Sequence, residues 1–176
     1  MSEALIDVIV NWKKYDTKAI YDILRSLVVA GVDVNKQTTL GETALMSVAE
    51  FGGEYRSEMI RLLLDAGADA NKQEKYGWTA LMYAARYGGE HAAGMMRLLL
   101  DADADVNMQM VDGWTALMYT ARYRGEHGAR MMHLLIDAGV DVNMQNMYRK
   151  TVKDFDSTNL FDNPGTGYGF IVSDSP

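Results

Sequence analysis

Apolar positions along this chain recur in two kinds of block, parted by glycines and by polar stretches that keep no period. In residues 79–87 (TALMYAARY), Leu81, Ala84 and Ala85 share one face at three-to-four spacing. Thr79 stands where a side chain can cap the first turn, so the segment predicts an amphipathic helix. Gly88-Gly89 breaks it. Residues 92–102 carry Met95, Met96, Leu98, Leu99 and Leu100, an apolar arc so wide that neighbours must cover more than one side of a second helix. From Asp103 to Asp112 neither apolar period persists, and the stretch ends in Asp112-Gly113, a tight-turn pair. The pattern reads helix, turn, helix, long loop.

That pattern repeats. Gly41-Glu-Thr-Ala-Leu-Met46 returns as Gly77-Trp-Thr-Ala-Leu-Met82 and as Gly113-Trp-Thr-Ala-Leu-Met118, a step of 36 each time. A second signal keeps the same phase: Val32-Asp-Val-Asn35, Ala68-Asp-Ala-Asn71, Ala104-Asp-Val-Asn107 and Val140-Asp-Val-Asn143. Residues 77–112 and 113–148 share 25 of 36 positions, so the fold is built from copies of one unit. The expected organisation is a repeat domain over 1–155: an N-terminal cap unit 1–40, repeats 41–76, 77–112 and 113–148, and a partial unit 149–155. In the cap, residues 4–12 and 18–30 read as helices, with Ile23-Leu24 and Leu27 in register with Met59-Ile60 and Leu63, and Trp12 shielding the outer end. At the far end Arg149-Lys-Thr-Val152 stands where Gly-x-Thr-Ala is due. Residues 156–176 read as an irregular tail, either packed on the last repeat through Phe161, Tyr168, Phe170 and Ile171 or loose, with packing the favoured reading.

These residues resemble the ankyrin repeat, with its Gly-x-Thr-Pro-Leu-His start, Ala-Ala pair, glycine turn, Leu-Leu and Gly-Ala-Asp-Val-Asn close. The resemblance implies an all-α solenoid of stacked helix-turn-helix units joined by long hairpin-like loops. Ala44, Ala80 and Ala116 replace the family's proline, a benign exchange at a first helical position. Met46, Met82 and Met118 replace the histidine that ties adjacent loops in the family, and thioether packing is expected in its place. The three residues beyond the family's usual 33 fall between the helices, as in Gly88-Gly-Glu-His-Ala-Ala93.

Composition narrows the function. With no cysteine the chain has no disulfide, thiolate zinc site or cysteine nucleophile, which fits an intracellular, cytoplasmic setting with the nucleus also open. A net charge of −7 argues against nucleic acid as a partner, since phosphate binding needs clustered positive charge. No apolar run is long enough to span a bilayer, and the amino terminus (MSEALIDVIVNWKK) places acids before its apolar stretch and lysines after, the reverse of a signal peptide. Glu90-His91 and Glu126-His127 recur in phase, with His133 nearby, but equivalent positions on packed repeats lie too far apart to share a zinc ion. No metal, cofactor or catalytic residue is expected. Gly165-Thr-Gly-Tyr-Gly169 follows no strand and opens no helix, so it reads as tail rather than phosphate loop.

The resemblance implies a binding module that takes another protein on its loop fingers and first helices. Carried over by position, the partner-binding candidates are Glu50 and Phe51; Lys75, Tyr76, Trp78, Arg86 and Tyr87; and Asp112, Trp114, Arg122 and Tyr123. Tyr83 and Tyr119 fall beside them, one turn earlier on the same helices. Gln37, Thr39, Leu40, Glu42, Gln73, Gln109, Val111, Gln145, Met147, Tyr148 and Lys150 extend the exposed set. Tyr, Trp and Arg are the types that carry most interface energy, so Arg86, Tyr87, Arg122 and Tyr123 read as exposed binding residues. For Trp78 and Trp114, partner contact and the covering of loop joints both stay open. Gln37, Gln73, Gln109 and Gln145 read as loop-to-loop hydrogen bonders, and Asp33, Asp69, Asp105 and Asp141 as turn formers. Asp103 replaces Gly31, Gly67 and Gly139, where a left-handed backbone is expected. The expectation is a monomeric, non-enzymatic adaptor or inhibitor whose partner carries basic patches around an apolar centre. High repeat identity is compatible with young duplication and a host-interaction role. A structural or self-assembling repeat protein is the alternative.

Overall fold

Seven α-helices and no strand form among the described residues, 16–51, 53–122 and 125–155 of the computed structural model. They are α1 (Thr17–Val29), α2 (Ala44–Phe51), α3 (Arg56–Asp65), α4 (Ala80–Tyr87), α5 (Ala92–Asp101), α6 (Ala116–Thr120) and α7 (Gly125–Asp137). The helices expected at 18–30, 79–87 and 92–102 form as α1, α4 and α5, each within a residue or so of its expected ends. The helix expected over 4–12, Trp12, Tyr123 and the tail 156–176 lie outside the described residues.

Each first helix starts at the threonine that the repeat predicts. The Oγ1 atoms of Thr43, Thr79 and Thr115 accept from the backbone N–H of Met46, Met82 and Met118, each at 3.3 Å, satisfying one of the open donors of the first turn. Between the helices, Gly53–Tyr55 and Gly89–His91 form single 3-10 turns, which absorb the insertion without disturbing either helix.

The chain divides between Asp105 and Val106 into two compact units. In the first unit α2 packs on α4, and α3 packs on both α1 and α5, so first helices neighbour first helices and second helices neighbour second helices. Its core joins Ile20, Leu24, Leu45, Met46, Met59, Ile60, Leu63, Leu81, Met82, Met95, Met96 and Leu99, all nearly without solvent contact. Leu24 keeps the register of Ile60, whereas Ile23 is partly exposed. In the second unit α6 packs on α7 around Leu117, Met118, Met131, Met132, Leu135 and Val152. Met46, Met82 and Met118 are buried, so the thioethers pack where the family's histidine would stand.

Polar rows tie the loops. The Asn35 side chain donates to Gly67 O at 2.7 Å and accepts from the Asp69 N–H at 2.7 Å. Asn71 repeats this with Asp103 O and the Asp105 N–H, and Asn107 accepts from the Asp141 N–H within the second unit. Gln37 Nε2 donates to Gly41 O and Gln73 O, and Gln109 Nε2 does the same to Gly113 O and Gln145 O, as expected of loop-to-loop amides. Asp33, Asp69 and Asp141 each accept from the backbone N–H two residues on, closing the turns.

Among the described residues, two other than glycine occupy left-handed backbone. Asp103 has φ 58°, beside 75°, 85° and 81° at Gly31, Gly67 and Gly139. Arg149, at the register of Gly41, Gly77 and Gly113, has φ 56°. Beyond it the start of the fourth unit is recognisable: the Thr151 N–H donates to the Asp154 carboxylate at 2.9 Å, Val152–Asp154 turn as a 3-10 helix, and Val152 is buried.

Candidate functional site

The candidate residues sit at three places in each repeat: the tip of the loop, the residue just after its glycine, and the last turn of the first helix. In the first unit the second repeat brings four of them together. Trp78 follows the turn glycine, and its ring stacks on Tyr83 at 4.9 Å between centroids, with Tyr87 at 6.0 Å. Tyr83 and Tyr87, four apart on α4, lie 6.1 Å from each other. The Arg86 guanidinium rests 5.1 Å from the Tyr87 ring and 6.0 Å from Trp78. Trp78 and Arg86 are half-buried, while Tyr87 is 41% exposed.

The same construction recurs in the second unit. Trp114 stacks on Tyr119 at 4.9 Å, and the Arg122 guanidinium lies 5.6 Å from the Trp114 ring. Phe155 packs against the tryptophan at 4.6 Å. The Tyr119 hydroxyl donates to Met110 Sδ at 3.1 Å. Arg122 is exposed, Trp114 and Asp112 are half-buried, and Tyr123 falls outside the described residues.

Tyr83 and Tyr119 correct one expectation. Read beside the exposed set, they are in fact only 8% and 6% exposed, with the preceding tryptophan stacked over each ring at 4.9 Å. They support the surface from beneath. Burial raises the Tyr83 phenol above its ordinary pKa, and the nearby charges of Glu50, Glu74 and Glu42 push the same way.

The first repeat presents a different surface. At the registers of Trp78, Tyr83, Arg86 and Tyr87 it carries Glu42, Ser47, Glu50 and Phe51. Glu50 lies half-buried in the last turn of α2, where the helix's own carbonyl end disfavours a carboxylate. Desolvation first, and the charge of Glu42 second, raise its pKa to about 7. Phe51 is half-buried, and Lys75 and Tyr76 are exposed at the loop tip with the ammonium 5.7 Å from its neighbour's ring.

Two residues outside the candidate set, Glu74 and Arg56, shape this site. Glu74 is buried, and its carboxylate accepts from the N–H groups of Tyr76 at 2.7 Å and Trp78 at 3.1 Å, which sets the loop that aims both rings. Its signal was the register: Thr38 and Asn146 serve the same role in their loops, accepting from Leu40 and Glu42 and from Tyr148 and Lys150. Arg56 crosses from α3 to donate to Tyr87 O and Gly88 O at 3.3 and 3.4 Å, holding the end of the helix that bears Arg86 and Tyr87. Burial lowers its pKa from the ordinary arginine value. Nothing in the local pattern marked Arg56, since its partners stand on the next repeat.

The arrangement offers flat aromatic faces, guanidinium groups and one carboxylate near neutrality, all suited to non-covalent contact. His91 lies 3.5 Å from Glu90 in the turn before α5. Among the described residues no group of three or more His, Cys, Asp or Glu side chains is close enough to hold a metal ion. Nor is any described helix long and apolar enough to cross a membrane. A family model described as ankyrin repeats (3 copies) matches residues 16–110 and 55–146. A search of curated proteins finds no match.

Proposed function

The chain belongs to the ankyrin-repeat family, and from that premise we propose that it is a non-enzymatic adaptor or inhibitor that holds another protein on its loop tips and first helices. Ankyrin repeats are generally protein–protein interaction modules. The observation that carries the finer reading is the Trp78–Arg86–Tyr87 cluster. These side chains are of the types that dominate interface energetics, and they are held in place before any partner arrives. Tyr83 stacks beneath Trp78, Glu74 fixes its loop, and Arg56 ties the helix end. Preorganisation of this kind reduces the ordering cost of association. Trp114 and Arg122 offer the matching contact in the second unit. The protein then acts by occupancy, as a monomer, on a partner whose surface sets basic groups around an apolar centre, the complement of Glu42 and Glu50 beside the rings.

A capture experiment tests this reading. Wild-type chain and a variant carrying Arg86→Ala, Tyr87→Ala, Arg122→Ala and Tyr123→Ala are immobilised and exposed to the same cell lysate. Loss of one or a few specific proteins from the variant, with its circular dichroism unchanged, supports the assignment. Truncating hot-spot side chains of this kind costs more than about 2 kcal/mol each, a loss of roughly thirtyfold per site. Equal capture by both chains refutes the binding face.

A further inference from the structure

The loop fingers of the two units differ in chemistry at equivalent positions. Where the first unit carries Lys36 and Lys72, the second carries Met108 and Met144. Thr38 and Glu74 correspond to Met110 and Asn146, and Thr39 and Lys75 to Val111 and Met147. The fold accepts lysine and threonine at these registers in the first unit, so it does not itself demand apolar side chains there. Yet Val111 is 81% exposed, Met147 66% and Tyr148 69%. The two fingers adjoin, because the Met147 N–H donates to Asp112 O at 2.8 Å and Gln109 Nε2 reaches Gln145 O at 3.1 Å. Val111 and Met147 therefore occupy the same register on neighbouring tips. Exposed apolar groups gathered in this way mark interaction surfaces, and thioethers adapt to partners of irregular shape. Between Asn146 and Phe155 stand Arg149, Lys150 and Lys153 against Asp154, to which Lys150 is bonded at 2.9 Å, and Asp112 beside Val111 is the one acid of the neighbouring tip. Positive charge is thus left in excess beside the patch.

We propose that the finger tips of the second unit, Val111, Met147 and Tyr148 with the basic rim of Arg149 and Lys153, dock a partner segment whose apolar anchors are flanked by acidic residues. This rests on the protein-binding reading above and names the chemistry of what is bound there. The apolar anchors cover the thioether and valine tips, while the flanking carboxylates answer the rim and fix direction.

A phage-displayed library of random peptides, panned on the full chain, tests the proposal. Enriched sequences should place aspartate or glutamate beside two or more apolar residues. Synthetic copies should shift the Met147, Met108 and Met144 methyl resonances. They should lose about tenfold or more in affinity for the chain carrying Val111→Ser and Met147→Ser, and bind a chain carrying Arg97→Ala, an exposed residue of α5, almost unchanged. Basic peptides whose binding depends on Val111 and Met147, or acidic–apolar peptides that bind the serine variant as well as wild type, overturn it. Peptides that depend instead on Arg86 and Tyr87 overturn it while leaving the protein-binding reading intact, whereas failure to enrich any peptide counts against both. Two further results assign the patch elsewhere and also overturn it: concentration-dependent self-association abolished by the serine changes, and direct contacts from Phe161 or Phe170 to the Met147 methyl in the free chain.

Discussion

Replacing Glu50 by glutamine isolates one electrostatic strain in the fold. Glu50 sits half-buried in the last turn of α2, near Glu42, and its pKa rises from an ordinary 4.5 to about 7. In the unfolded chain it titrates near the ordinary value. Between those two pH values the native state holds a proton that the unfolded state has released, so stability falls as pH rises through the window. Taken at face value the shift corresponds to about 3.4 kcal/mol at 1.36 kcal/mol per pKa unit. The group is only half-buried, and solvent screening reduces the expected effect to about 1–2 kcal/mol. Glutamine keeps the shape without the charge. Urea unfolding should therefore show Glu50→Gln more stable than wild type by about 1–2 kcal/mol at pH 8, with the gain shrinking toward zero below about pH 5. The net charge of −7 also lowers stability as pH rises, but it acts on both chains and cancels from the difference curve to first order. A variant no more stable at pH 8, or one whose gain is the same at pH 5, would show that Glu50 is not the strained group.

Other consequences concern packing and backbone. Leu99→Ala, in the core of the first unit, should cost about 2–5 kcal/mol in chemical denaturation, and a loss below about 1 kcal/mol would mean that the site collapses around the gap. Asp103→Gly should stabilise by about 0.5–1 kcal/mol, since it relieves a left-handed backbone at φ 58° at some entropic cost in the unfolded chain. The reciprocal Gly67→Asp should destabilise by a similar amount; like signs for the two changes would dismiss the strain argument. Gly113→Ala should cost about 1–3 kcal/mol and lower the melting temperature, because at φ 82° its Cβ would also lie 2.7 Å from Asn146 Cα. An unaltered melting curve would show that the neighbouring loop yields freely.

Much of the candidate site was legible because its signals are local and repeated. Threonine caps, turn aspartates and the glutamine row each act within a few residues or at one repeat's distance, so spacing alone exposed them. Tyr83 and Tyr119 were not legible in the same way. Helical spacing places them one turn before Tyr87 and Tyr123, yet their burial depends on a tryptophan from the preceding loop lying across each ring. Glu74 was hidden for another reason. A glutamate in a polar loop ordinarily faces water, and only the two converging backbone N–H groups make its burial favourable. Phe155 on Trp114 likewise follows from where the fourth unit turns, after the helical pattern has ended.

The order of residues by itself determined the two-helix unit, its repetition, its caps and its glycine turns, because each depends on backbone preference and on apolar spacing within a single turn or repeat. Tertiary structure alone decided which rings are buried and which stay open, what Arg56 holds, and why Glu50 titrates near neutrality. Those outcomes depend on distances and solvent access that only the folded chain sets: a tryptophan five residues earlier covers each buried tyrosine, desolvation and Glu42 act on Glu50, and Arg56 reaches a helix end some thirty positions on.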